Sequence, residues 1–305
     1  MHGMGIVAQS CENMKLDHFV VKPDESSGKT CAAWADILHF AGCKGAVEIG
    51  NSYLSGANDD AINVHGIHLM IKKIDKPNQI MVQFMHDQTF GFNPYSVGDS
   101  IDFIHPATLL PIGSGLVLKS TMLNEKQVLL ELKNPIPSQV NLDDVIENTT
   151  ATPTLWIHHN TIARIPTRGI LTTTRRKTVI EHNNIEHTRM SGILVNDDAA
   201  YWFESGIVKD FTIRNNNFIL CGDPVIDIHP ENRVYDKKSV HSNISVINNT
   251  FNLQGKKIFA AKSTSDILIK GNIIKMSAPV KTIEELVDLK ECKPFRIIRN
   301  NISSN

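Results

Sequence analysis

One pattern of apolar and polar positions recurs along this chain: a run of β-forming residues, then Asn, then one residue, then an apolar or aromatic side chain. It reads VEIGNSY around Asn51, LWIHHNTI around Asn160, TVIEHNNI around Asn183 and FTIRNNNF around Asn216. It continues as SVINNTF around Asn249, ILIKGNII around Asn272 and FRIIRNNI around Asn300. From Asn160 onward the anchors lie 23, 33, 33, 23 and 28 residues apart. A period in the low twenties, with the excess looped out, predicts coils of a right-handed parallel β-helix, each strand stacking ~4.8 Å above the last. Asn at the bend tolerates left-handed geometry, and Asn side chains in successive coils can hydrogen-bond as a ladder. A β-sandwich with Asn-rich turns is the competing reading, and it does not account for one phrase repeating at one position.

The pattern breaks once, because Asn51 and Asn160 are 109 residues apart. Residues 75–150 instead alternate strand-like runs with Asn-Pro, Val-Gly-Asp, Pro-Ala-Thr and Gly-Ser-Gly turns. That texture predicts a small antiparallel β-barrel inserted between two coils. The all-β chain then divides into coils over 1–74, the barrel over 75–150 and further coils over 151–305. Thr282-Ile-Glu-Glu285 is a capping-box pattern that opens one short helix between coils. A coil-like segment, NMKLDHFVV, begins almost at Met1 with nothing before it to cap the solenoid. An uncapped coil exposes unpaired strand edges. The chain therefore reads as the C-terminal part of a longer protein, and a homodimer would cover the exposed edge.

Composition narrows the function classes. Over 305 residues, 31 Lys and Arg face 32 Asp and Glu, a formal net charge of -1, so nothing draws the chain to nucleic acid or anionic membrane in general. No apolar run approaches the ~20 residues of a membrane span, and no signal peptide is visible at the N-terminus. Five cysteines without CxxC spacing read as isolated thiols rather than a disulfide or zinc framework.

The chemistry gathers in GANDDAINVHG, residues 56–66. Asp36 precedes Asp59 by 23 residues and Asp60 by 24, so coil stacking predicts Asp36 one coil below that pair on the same face. Mutual repulsion among three clustered carboxylates raises at least one pKa. A protonated acid beside an ionised base is what glycosidic hydrolysis requires. Asp59, with neighbours in sequence and in the coil below, is the expected protonated member. A solvated turn and a calcium site are the other readings, and the rest of a calcium-loop pattern is absent.

AWADILHFAGCKG, GANDDAINVHG, RIPTRGILTTTRRKTVIEHN and NDDAAYWFESGIVKDFTIRNNNF together resemble glycoside hydrolase family 110, in order and over nearly the whole chain, and PVIDIHPEN is compatible. The resemblance implies an exo-acting, inverting α-1,3-galactosidase on a parallel β-helix, acting on blood-group-B-type or linear α-galactosyl glycans. It implies no metal and no organic cofactor, and a secreted or periplasmic location. Its catalytic aspartates fall on Asp36, Asp59 and Asp60, with Asp59 as general acid and Asp36 and Asp60 as alternative or joint bases. Inversion requires roughly 6.5–9.5 Å between acid and base carboxyls, so the side chains are expected to diverge. Family members are about twice this length. A β-helix polysaccharide lyase, with a Lys or Arg base and commonly calcium, and a carbohydrate-binding β-helix without turnover are the alternatives.

Around the carboxylates, Trp202 and Glu204 in YWFESG are expected to line a sugar groove, the former as an aromatic platform. Arg168 is placed near the carboxylates, whereas Arg164, Arg175 and Arg176 read as a solvated face. His65 is expected to contact substrate or cap a turn. His86 sits where the barrel closes over the cleft. His158 and His159 are expected on opposite strand faces, a poor arrangement for metal, and Asp227, His229 and Glu231 form a second polar cluster.

Overall fold

Alternating apolar residues in the repeated phrase leave one stripe per strand to bury, and stacking buries it. The structure, a computed structural model, describes residues 3–253, 257–276 and 282–304. Three parallel sheets of eight strands each run its length. One sheet runs from Glu12–Asp17 through Lys44–Gly50 and Thr154–His158 to Phe295–Ile298, and the second from Val20–Val21 through Tyr53–Ser55 and Thr161–Ile165 to Asn301–Ser304. The third carries Ile6–Gln9, Leu38–Ala41, the start of Ile62–Lys76, Ile170–Thr172, Ile193–Val195 and the strands beyond them. Inward side chains form columns, such as Leu54, Ile162, Ile185, Phe218, Phe251 and Ile274, each 0–1% exposed. Within that column the Phe218 and Phe251 rings stack at 5.0 Å. Full burial of each such side chain contributes about 1.5–3 kcal/mol, so the columns carry the stability.

The Asn ladder runs from Asn160 to Asn300. The Oδ1 of Asn183 accepts from the backbone N–H and the Nδ2 of Asn160, at 2.9 and 3.0 Å. The same two bonds repeat between Asn183 and Asn216, Asn216 and Asn249, Asn249 and Asn272, and Asn272 and Asn300. Two details differ from expectation. Left-handed geometry falls on the residue before each ladder Asn, namely His159, His182, Asn215, Asn248, Gly271 and Arg299. Asn51 is likewise left-handed and exposed, and Ser52 takes the ladder slot, its N–H donating to Asn160 Oδ1 at 3.0 Å. The phrase at Asn51 is thus shifted by one residue. His159, at that bend, also leaves the strand, so His158 and His159 do not point to opposite faces; their Nδ1 atoms meet at 3.1 Å.

The insertion is a closed six-stranded antiparallel barrel. Its order is Ile62–Lys76, Gln79–Gln83, Gln127–Leu132, Leu110–Met122, Ser100–His105 and Val145–Asn148, which pairs back onto Ile62–Lys76. Its own core holds Leu69, Ile71, Val82, Phe103, Leu130 and Ile146. The expected division after residue 74 is too late. The strand Ile62–Lys76 pairs with coil strands through His65 and with Val145–Asn148 from His68, so one continuous strand belongs to both units. Arg175 ties the units together, reaching Glu147 at 2.6 Å and Asp102 at 2.9 Å. Near the C-terminus the short helix is a single 3₁₀ turn, Ile283–Leu286, and Thr282 makes no side-chain capping bond. The five cysteines are free thiols. Among the described residues no helix is long and apolar enough to cross a membrane.

The ladder makes a direct prediction. Asn216→Ala leaves the Asn183 N–H without its acceptor inside the corner and should cost about 2–4 kcal/mol in chemical denaturation. Asn51→Gly, at an exposed left-handed position, should cost less than about 0.5 kcal/mol. Equal losses would refute the one-residue shift.

Candidate active site

The third sheet presents its outward side chains to a cavity of about 360 Å³. Its walls are that sheet, the segment 86–90 leaving the barrel and the loop 196–204. The register pairs Leu38 with Ile62 and Ile62 with Ile170, so positions 36, 60 and 168 stack one above another. Asp60 N–H donates to Asp36 Oδ1 at 3.0 Å, and Arg168 N–H donates to Asp60 Oδ1 at 3.2 Å. Asp59 stands beside this column. One oxygen of each of Asp36, Asp59 and Asp60 lies within 4.8 Å of the others. The side chains converge rather than diverge, closer than the usual acid–base spacing for inversion.

Charge is balanced by two cations. Asp36 Oδ2 faces His39 Nδ1 at 2.7 Å. Asp60 Oδ2 accepts from Arg168 at 2.8 Å, and its Oδ1 also accepts from the Thr167 hydroxyl at 3.1 Å. Asp59 keeps only a longer contact of 3.7 Å to Arg168. The three converging oxygens could hold a hard cation, but the guanidinium and the imidazole already occupy their flanks. Burial raises the Asp60 carboxyl to about 7, against the pull of Arg168 and with added repulsion from Asp36 and Asp59. Burial and the Asp36 charge also raise Asp59. The sequence singled out Asp59 for the proton, whereas the larger rise falls on Asp60, whose side chain is 1% exposed against 44% for Asp59. The two shifts belong to one coupled cluster that retains a proton near neutral pH.

Glu204 lines the opposite wall and accepts from Asn63 Nδ2 at 3.2 Å. Its strand, Glu204–Ser205, crosses antiparallel over Gly66 and Ile67. A side chain at Gly66 would collide with Ser205, so only glycine admits this approach. His86 and Trp202 meet at the rim with rings 4.8 Å apart. Asp198 holds the Trp202 loop by accepting from the N–H groups of Ala200, Tyr201 and Trp202. The buried pair His68–Asp197, 2.9 Å, pins that loop to the barrel strand. His65 is not on the cavity wall as expected. It lies buried behind it, with Nε2 3.1 Å from His39 Nε2 and 3.4 Å from Glu204.

Sequence reasoning missed His39, Asn63 and Asp198. His39 and Asn63 had a usable signal: in Leu38-His39-Phe40 and Ile62-Asn63-Val64 the apolar neighbours point inward, so the polar residue faces out on the Asp36–Asp60 side. The arginines do not form a solvated face; Arg168 and Arg175 are largely buried in ion pairs. Asp227 and His229 lie 3.8 Å apart, outside the cavity.

Residues 79–146 match the family model described as GLAA-B beta-barrel domain II, and residues 144–274 match the right handed beta helix region. The β-helix is therefore right-handed. The chain is 42% identical over 290 residues to alpha-1,3-galactosidase A of Akkermansia muciniphila, covering 95% of this chain and 48% of that protein. It is 41% identical over 303 residues to alpha-1,3-galactosidase A of Bacteroides thetaiotaomicron, covering 98% and 53%. Alpha-1,3-galactosidase B of the same organism is 32% identical over 315 residues, covering 99% and 51%. The chain belongs to the α-1,3-galactosidase family. It spans about half the length of these relatives. Among α-1,3-galactosidases the match includes the barrel as well as the coils, so both walls of the cavity lie within the shared region.

The buried carboxyl sets a pH dependence of stability. Asp60 has a folded pKa of about 7 against the ordinary 3.8. Its protonated form is the one folding favours, so its contribution is complete below 3.8 and is lost as pH rises through about 7. The shift corresponds to roughly 4 kcal/mol. Denaturation of Asp60→Asn and wild type at pH 5 and pH 8 should show the variant gaining relative stability at pH 8 by up to that amount. A difference independent of pH would place the proton elsewhere.

Proposed function

We propose that this chain forms the catalytic part of an exo-acting α-1,3-galactosidase that releases terminal galactose from blood-group-B-type or linear α-galactosyl glycans with inversion. The observation that supports it most is the carboxylate cluster, which retains a proton at one edge of a cavity whose volume falls in the roughly 300–1,000 Å³ range of small-molecule sites. Asp59 reaches the cavity most openly and has no cation of its own, so it delivers the proton to the glycosidic oxygen as the bond from C1 breaks. Asp36 and Asp60, each bonded to a cationic partner, stay ionised and take a proton from the water that attacks C1. The His86–Trp202 pair at the rim offers an apolar ring face to sugar, and Glu204 with Asn63 supplies acceptors and donors for hydroxyls. The names of the relatives and the family resemblance supply the linkage and the stereochemistry.

A lyase acts on acidic sugars. This cavity carries Asp36, Asp59, Asp60, Asp198 and Glu204, which repel an anionic substrate, and Arg168 is committed to Asp60. The 4.8 Å convergence favours one second reading, a retaining double displacement, whose carboxyls stand about 5–5.5 Å apart.

Proton NMR of the sugar released from a Galα1-3Gal oligosaccharide separates the two: β-galactose appears first on inversion and α-galactose first on retention. Asp59→Asn should lower kcat by about 10²–10⁴-fold. Galactoside binding without release by the wild-type chain would leave a binding module and remove the hydrolase reading.

A further inference from the structure

Behind the cavity wall runs a chain of four titratable side chains: Asp36, His39, His65 and Glu204. Asp36 Oδ2 lies 2.7 Å from His39 Nδ1, His39 Nε2 lies 3.1 Å from His65 Nε2, and His65 Nε2 lies 3.4 Å from Glu204 Oε1. The far nitrogen of His65, Nδ1, lies 2.6 Å from the Gly66 carbonyl oxygen. A carbonyl only accepts, so His65 Nδ1 carries a hydrogen. His65 is fully buried, which keeps its imidazole neutral and leaves Nε2 bare. The 3.1 Å contact then requires a hydrogen on His39 Nε2, and the contact to the Asp36 carboxylate requires one on His39 Nδ1.

We infer that His39 is a positioning residue, a doubly donating imidazolium that holds Asp36 ionised and aims its carboxylate into the cluster, with His65 as its neutral support. This deepens the reading of Asp36 as a base and rests on it. The groups facing His39 are consistent with a fixed positive charge. Asp36 lies on its own segment, Asp60 and His65 come from the next coil, and Glu204 comes from the strand crossing above. The coil below presents Val7 and Gln9, neither titratable. With His39 and Arg168 each matched to one buried aspartate, Asp59 is the carboxyl left without its own cation.

The test reads the charge directly and needs no substrate. In the full chain at pH 7, the nitrogen shifts of His39 should show both ring nitrogens protonated and those of His65 only Nδ1. The carboxyl ¹³C shift of Asp36 should titrate about 1–3 units higher in His39→Asn, which keeps a donor but loses the charge. The acidic limb of kcat/KM should move up by the same interval, whereas a merely structural role would lower kcat evenly across pH. His39→Gln serves as a second variant if His39→Asn does not fold. A bare nitrogen on His39 at pH 7, or an Asp36 titration unmoved in both variants, overturns the inference. Absence of galactosidase turnover with these shifts intact would remove the proposed reaction and leave the imidazolium clamp standing.

Discussion

Register between coils is the constraint on which the rest depends. Each ladder Asn presents one oxygen to two donors of the coil before it, the backbone N–H and the side-chain amide. Sliding one coil by a single residue would strand those donors in the interior and turn the inward columns outward. Because the corner locks register, every other position in the coil is locked as well, and 36, 60 and 168 become a column without any contact of their own to hold them. The functional column borrows its precision from a structural one on a different edge.

That borrowed precision allows an arrangement that would otherwise separate. Three carboxylates within 4.8 Å repel, and free chains would move apart. Here Asp60 is gripped through both its oxygens, by backbone and side chain of the following coil, and Asp36 accepts the Asp60 N–H as well as facing His39. The same backbone bonds that propagate the solenoid are used, at this corner, to seat anions. Repulsion that cannot relax by movement relaxes by taking up a proton.

Much of this was legible in the sequence for one reason: a β-helix turns sequence spacing into spatial proximity. The ladder from Asn160 to Asn300, the barrel texture and the Asp36–Asp60 stack all follow from a repeat near 23 or 24. Legibility failed where neighbours came from outside the repeat. Nothing in the spacing showed that His65 would sit behind His39, or that Glu204 would cross over Gly66, because that crossing is antiparallel and comes from a loop excess. The Arg cluster was misread because Arg175 meets Glu147 and Asp102 across the junction with the barrel, a pairing 28 residues and more away. Asn51 was misread by one position because Ser fills the ladder slot there, and a serine hydroxyl leaves no mark in an Asn search.

The strand Ile62–Lys76 joins the two units without a linker. Its first residues stack in the coil and its last close the barrel, and between them Gly66 and Ile67 carry the crossing strand that bears Glu204. The barrel is therefore not a detachable module hung on a finished solenoid. Excising it would cut the strand in the middle, release Glu204 from its support and remove the 86–90 wall at one stroke. A twist applied to the barrel would reach the carboxylates along a single rigid backbone, which makes the insertion a lever on the cavity.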